Sequence, residues 1–202
     1  MFRLDNKTAV ITGGGSGIGR AIATTFAKQG ATVHIIELSI ESAKDAAEEI
    51  INNRGKVITH SCNVANQADV ITTFEKIGAI NILVNNAGIA NIGKADTTSE
   101  QDFDRVMMVN VKGVYNCLYA AIPQLRKSGA GVILNMASVA GLTGLADRFV
   151  YSTSKGAILA MTMSVARDYM HENIRCISIS PARVHTPFVD GYIKKTYPGQ
   201  EA

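Results

Sequence analysis

Along the chain the apolar residues switch repeatedly between a short, β-branched pattern and a helical one. Lys7–Thr12 (KTAVIT) is a β-branched run that ends in glycines and predicts a first strand. In Gly17–Gln29, residues Ile18, Ala21, Ile22, Thr25 and Phe26 fall at the spacing of one helix face. The same alternation continues with strands at Ala31–Glu37, Lys56–Cys62, Ile80–Val84, Gly131–Ala137 and Ile174–Ser180. Helices are predicted from Ser39 to about Asn53, over Asn66–Ile77, over Ser99–Lys127 with a kink at Pro123, and over Tyr151–His171. From Pro181 to Ala202 no period stands out. Six strands alternating with five helices predict βαβ units. The fold expected is α/β, a Rossmann-type doubly wound parallel sheet in three αβα layers. With no repeat, low-complexity tract or linker, residues 1–202 are expected to form a single domain.

The first strand-to-helix turn reads Thr12-Gly13-Gly14-Gly15-Ser16-Gly17-Ile18-Gly19. Glycines there permit positive φ and close backbone approach, and the helix that follows offers free N–H groups and a positive dipole end to a pyrophosphate. Tight βα turns also use glycine for purely structural reasons. Glu37 ends the second strand, where a carboxylate can accept from a ribose 2′-OH and would repel a 2′-phosphate. Ser16, rather than a base, precedes Gly17, so NAD is expected over NADP.

Tyr151-Ser152-Thr153-Ser154-Lys155 sets a phenol and an ammonium at i and i+4, on one face of a helix. A cation so placed is expected to lower the phenol pKa toward neutrality and make Tyr151 a proton donor and acceptor. Ser138 follows the run Val132–Ala137, at the carboxyl end of the fifth strand, where ligands bind in open α/β sheets. Ser138 lacks the G-x-S-x-G setting of a hydrolase elbow, its neighbours two residues away being Met136 and Ala140. Asn110 lies inside the long helix, and Asn85-Asn86-Ala87-Gly88 caps the fourth strand.

Together the TGxxxGxG turn, NNAG, Asn110, Ser138 and YxxxK, in this order from about Leu4 to Thr186, resemble the short-chain dehydrogenase/reductase family. The resemblance implies an oxidoreductase passing hydride between nicotinamide and a secondary alcohol or ketone. Ser138 would hold the substrate oxygen, Tyr151 would exchange its proton, and Lys155 would bind the ribose hydroxyls and depress the phenol pKa. Asn110 would complete a proton relay through water. The cofactor would meet Gly13, Ser16, Gly17, Ile18, Gly19, Glu37, Asn63 and Val64. Asn86, Ala87 and Gly88 would line its adenine–ribose side, and Pro181, Val184 and Thr186 would lie along its nicotinamide end. Two positions depart from the family pattern. An adenine-contacting Asp is Asn63 here, and a Pro-Gly pair is Pro181-Ala182, which predicts no positive φ at that point. Members normally continue with a last strand-helix unit, which this chain is expected to lack, leaving the edge of Ile174–Ser180 open. A catalytically silent dinucleotide-binding protein or shortened chain is therefore the alternative reading. The resemblance also implies a homodimer or homotetramer built through the helices Ser99–Lys127 and Tyr151–His171.

Arg148, three residues before Tyr151, and Arg183 and His185, after the sixth strand, are candidates to hold a hydroxy or keto acid, including sugar-derived acids. Composition narrows the partners. Twenty Lys and Arg against 17 Asp and Glu give only +3, with no basic cluster to suggest a nucleic-acid partner. No apolar run is long enough for a membrane span, and the amino terminus has no secretory apolar region. The three cysteines form neither a disulfide framework nor a zinc pattern, the histidines lack metal-ligand spacing, and a reduced, cytoplasmic setting without a metal is expected.

Overall fold

Ala9, Val10 and Ile11 are all fully buried, which is what a strand covered on both faces requires. The structure, a computed structural model, describes residues 2–189, so the predicted period-free tail lies outside the described residues from position 190 on. The six strands are β1 (Thr8–Thr12), β2 (Thr32–Glu37), β3 (Lys56–Ser61), β4 (Ile82–Asn85), β5 (Gly131–Met136) and β6 (Ile174–Ile179). They form one parallel sheet in the order β3-β2-β1-β4-β5-β6. Every predicted strand is present.

Side chains that alternate along each strand enter two cores. Ile11, Val33, Ile35 and Val84 face α1 (Gly17–Lys28) and α2 (Lys44–Asn52). Val10, Ile36, Leu83 and Ile133 face α3 (Gln67–Ile77), α5 (Gly113–Lys127) and α7 (Phe149–Tyr169). The helix expected over Ser99–Lys127 is two helices, α4 (Glu100–Met107) and α5, joined by a π-helical segment at Met108–Lys112. The helix runs unbroken through Pro123, so the interruption falls at the π segment instead. A short helix, α6 (Ala140–Thr143), was not anticipated by the apolar period. The second helix starts at Lys44 rather than Ser39, after a 3-10 turn at Glu41–Ala43.

β1 lies between β2 and β4, so the connections leaving β1 and β4 diverge to opposite sides and open a crevice at the strand carboxyl ends. At the far side β6 pairs only with β5 among the described residues, leaving Ile177 and Ile179 about half exposed. His34 on β2 and His60 on β3 meet ring nitrogen to ring nitrogen at 2.9 Å. Cys62, Cys117 and Cys176 are free and buried, and burial pushes all three thiols up. No helix of the described residues is long and apolar enough to cross a membrane.

Candidate active site

The glycine turn is folded onto the end of β4 by close backbone packing and by two polar side chains. Gly13 has φ 65°, and a Cβ there would stand 2.9 Å from the Ala87 Cα, so only glycine fits both the conformation and the space. A Cβ on Gly19 would sit 2.1 Å from the Gly13 carbonyl oxygen, which sets how closely α1 approaches the turn. Thr12 and Asn86 clasp the two strand ends. Thr12 Oγ1 accepts from the amides of Asn86 and Ala87, both at 3.0 Å. Asn86 Nδ2 in turn donates to the carbonyls of Thr12 (3.1 Å) and Gly13 (2.9 Å). Asn86 thus shapes the cradle with its carboxamide. Thr12, quoted in the sequence only as the first residue of the glycine turn, matters equally. Its register position opposite Asn85 on β4 is the signal that points to it.

This cradle suits a dinucleotide. Ser16 makes no side-chain cap bond and α1 has no acid in its first turn, so the N-terminal amides and the dipole stay open to an anion. Glu37 Oε1 accepts from the Gly15 amide at 3.0 Å, which holds the carboxylate beside the turn. Thr186 packs on Gly17, where a Cβ would meet it at 3.3 Å. Val184, His185 and Thr186 close one wall of an apolar groove whose other wall is Gly17, Ile18 and the α1 face Ala21, Ile22 and Phe26.

Across the crevice, Ser138, Tyr151 and Lys155 converge from β5 and α7. Ser138 is almost wholly buried, and its Oγ accepts from the Ala140 amide at 3.2 Å. Ser138 lies close enough to the Tyr151 hydroxyl to favour its ionised form. Lys155 Nζ donates to the Met136 carbonyl at 2.6 Å and stands 5.7 Å from the Tyr151 ring centroid. Burial brings the lysine down to about 8, so it is charged at neutral pH. The expected depression of the phenol is corrected here. Burial outweighs the attractions and raises the Tyr151 pKa above its ordinary value. Ser138 and the charge of Arg148 pull the other way. The Lys155 ammonium, 5.7 Å from the phenol ring centroid, gives one donor to the Met136 carbonyl.

Asn110 sits in the π segment with its carboxamide committed at both ends. Its Oδ1 accepts from the Ile89 amide at 2.8 Å, and its Nδ2 donates to the Ile89 carbonyl at 2.9 Å and to Ser154 Oγ at 3.0 Å. Ser154 Oγ then donates to the Tyr151 carbonyl at 2.7 Å. A Cβ on Gly88 would stand 3.3 Å from Asn110 Oδ1 and 3.7 Å from Lys155 Nζ, so the NNAG turn reaches the lysine directly.

Comparison with known proteins agrees with this geometry. The short chain dehydrogenase family profile matches residues 7–196. The chain belongs to the short-chain dehydrogenases. An uncharacterized oxidoreductase of Thermotoga maritima is 45% identical over 182 residues, covering 89% of this chain and 72% of that protein. A 2-(R)-hydroxypropyl-CoM dehydrogenase of Xanthobacter autotrophicus is 42% identical over 190 residues, covering 90% of this chain and 76% of that protein. The crystal structure of an NAD+-bound xylitol dehydrogenase superposes with a TM-score of 0.91 at 30% identity, covering 96% of this chain and 76% of that one. As a short-chain dehydrogenase the protein is an oxidoreductase acting on alcohols and ketones, in a family that uses nicotinamide cofactors.

The remaining candidates of this short-chain dehydrogenase lie at the start of α7, after β6 and after β3. Arg148 caps α7 one turn before Tyr151, and Gly93 is bridged to its backbone. The Gly93 amide donates to the Asp147 carbonyl and its own carbonyl accepts from Phe149, both at 3.0 Å. That bridge pins the segment after β4 to the start of α7. Arg183 is exposed after β6, and His185 lines the groove against α1. Asn63 is exposed, with Oδ1 accepting from Ala65, whereas Val64 is buried in the core and its carbonyl accepts from Asn116. Ala182 after Pro181 has no positive φ, in keeping with the absence of the usual glycine.

Proposed function

We propose that the chain is an NAD-preferring dehydrogenase or ketone reductase of secondary alcohols, and that one domain carries both cofactor and catalytic site. The observation that carries this reading is the convergence of Tyr151, the buried Lys155 ammonium 5.7 Å from its ring centroid, and the buried Ser138 that follows β5. Nicotinamide, when bound, supplies the hydride acceptor or donor. Ser138 Oγ holds the substrate oxygen, and Tyr151 gives that oxygen a proton in reduction or takes one in oxidation. Its raised pKa keeps Tyr151 protonated at neutral pH, which suits reduction; oxidation gains as the pH rises. Lys155 binds ribose hydroxyls, and Asn110 keeps the NNAG turn and α7 in step. The α1 amides receive the pyrophosphate, with Gly13, Gly17 and Gly19 allowing it close.

Glu37 supports the preference for NAD. One carboxylate oxygen is taken by Gly15, the other remains for a 2′-OH, and a 2′-phosphate would meet a negative charge. Fluorescence titration with NADH and NADPH tests this. NADH is expected to bind at least tenfold more tightly, which is about 1.4 kcal/mol, and Glu37→Gln is expected to close most of that gap. Equal affinities in the parent chain overturn the preference.

The substrate we infer is a hydroxy or keto acid, because Arg148 stands at the start of the helix that carries Tyr151, three residues before it, and a guanidinium there suits a carboxylate. Arg148→Ala is expected to raise KM for an acidic substrate about tenfold while sparing a neutral secondary alcohol, the loss of one charged hydrogen bond. Equal effects on both substrates overturn the acid. We place the enzyme in the cytoplasm, as a homodimer or homotetramer assembled through α4–α5 and α7.

A further inference from the structure

The turn after Ser138 meets α7 at two facing glycines, and the meeting is one-sided. A Cβ on Gly141 would lie 2.6 Å from the Lys155 carbonyl carbon, 2.7 Å from the Gly156 amide nitrogen and 2.9 Å from the Lys155 oxygen. All three are backbone atoms, which cannot rotate away. On the opposite side, a Cβ on Gly156 would meet only the Gly141 oxygen, at the ordinary contact distance of 3.7 Å. The space is therefore spent on bringing α6 against α7 at Gly141.

Ser138 is tied to that same turn. Its carbonyl accepts from the Gly141 amide at 3.0 Å, and its Oγ accepts from Ala140. Tyr151 lies one helical turn before Lys155 on α7, a 21-residue helix packed on the sheet. α6 is a single turn between two loops, so a forced separation moves α6 and Ser138, not α7.

We propose that Gly141 is a positioning residue: it acts through Ser138 by letting the α6 turn seat on the Lys155–Gly156 backbone, which sets the approach of the Ser138 hydroxyl to Tyr151. The inference rests on the catalytic reading of Ser138 and Tyr151 for its kinetic arm only. Restoring van der Waals distance in Gly141→Ala displaces Ser138 by about 1 Å, and a misplacement of that size costs up to about a hundredfold in rate.

The test uses the 202-residue chain and a set of its substitution variants. Gly141→Ala is expected to lower kcat about a hundredfold with NADH affinity unchanged, whereas Gly156→Ala keeps the parent rate. Ser138→Ala combined with Gly141→Ala is expected to be no slower than Ser138→Ala alone, because the glycine acts through the serine. The second arm needs no substrate. The Tyr151 phenol titration is read as the absorbance difference between each protein and the same protein carrying Tyr151→Phe. Gly141→Ala is expected to move that titration upward, since Ser138, which lowers it, is displaced. An unchanged Tyr151 titration overturns the proposal whether or not a substrate has been found. Multiplying losses in the double variant overturn it as well. A parent chain that turns over no alcohol, with the titration shifted as expected, removes the catalytic reading and leaves the positioning intact. Should Gly141→Ala fail to fold, Gly156→Val presses on the same turn from α7 and is expected to shift the titration in the same direction.

Discussion

Between Thr12 and Gly19 the crevice is shaped by backbone packed closely on backbone and clasped by Thr12 and Asn86, whereas around Tyr151 it is shaped by side chains sent from several elements. In the first region a missing Cβ at Gly13 and Gly19 and one threonine hydroxyl fix the turn against β4. In the second, Asn110 reaches Ile89 and Ser154, Ser154 reaches Tyr151, and Lys155 reaches Met136. Presenting amides to a pyrophosphate asks only for a backbone of fixed shape. Moving a proton asks for hydroxyls held in register, and their protonation depends on everything packed around them. The two regions meet at Gly88, beside both Asn110 and Lys155.

That division can be broken from either side. The largest effect is expected from Tyr151→Phe, which removes the proton and leaves the cradle whole. Turnover should fall by about 10²–10⁴-fold while NADH binding persists. Retained turnover would sink the assignment of the proton to Tyr151. Gly19→Ala makes the complementary cut. Its methyl meets the Gly13 carbonyl, and overpacking of this kind costs about 1–3 kcal/mol. Thermal melts should show that loss, and NADH affinity should drop about tenfold or more, with the Tyr151 titration unmoved. A normal Kd for NADH would show that the turn has slack the backbone distances deny.

The smallest effect sharpens the comparison from the strands beneath the cradle. His34, against His60, is pushed down to about 4, chiefly by burial and further by its neighbour. Below about 6.5 the unfolded chain takes up a proton that the folded His34 refuses. Its contribution is full above 6.5 and is lost as the pH falls from there through 4. The ring is only partly buried, which discounts the effect to about 1 kcal/mol. Urea unfolding at pH 7 and pH 5 should show the decline in the parent and less of it in His34→Leu. The same slope in both would assign the acid sensitivity elsewhere.

All six strands, the glycine turn and the helical placement of Tyr151 and Lys155 were legible along the chain, because each rests on local periodicity or local turn chemistry. The interruption of the long helix was not, since it is held by the contacts of Asn110 with residues on β4's loop and on α7. The split between Asn63, exposed, and Val64, buried under Gly113, is equally invisible in a two-residue stretch. The clasp of Asn86 on Gly13 joins positions far apart in sequence. Sequence reading placed Asn86 beside the cofactor, and it could not see that the carboxamide was already engaged.

By itself the sequence determined the order of elements, the parallel sheet and the set of chemical groups available at its carboxyl ends, for these follow from short-range patterns and from the handedness of βαβ connections. The tertiary structure alone decided the state of those groups. Lys155 donates to a carbonyl while standing beside the Tyr151 ring, burial raises Tyr151 where a nearby cation was expected to lower it, and Gly141 packs tightly on the Lys155–Gly156 backbone. Desolvation and steric exclusion depend on what surrounds an atom in space, and spacing along a chain carries neither.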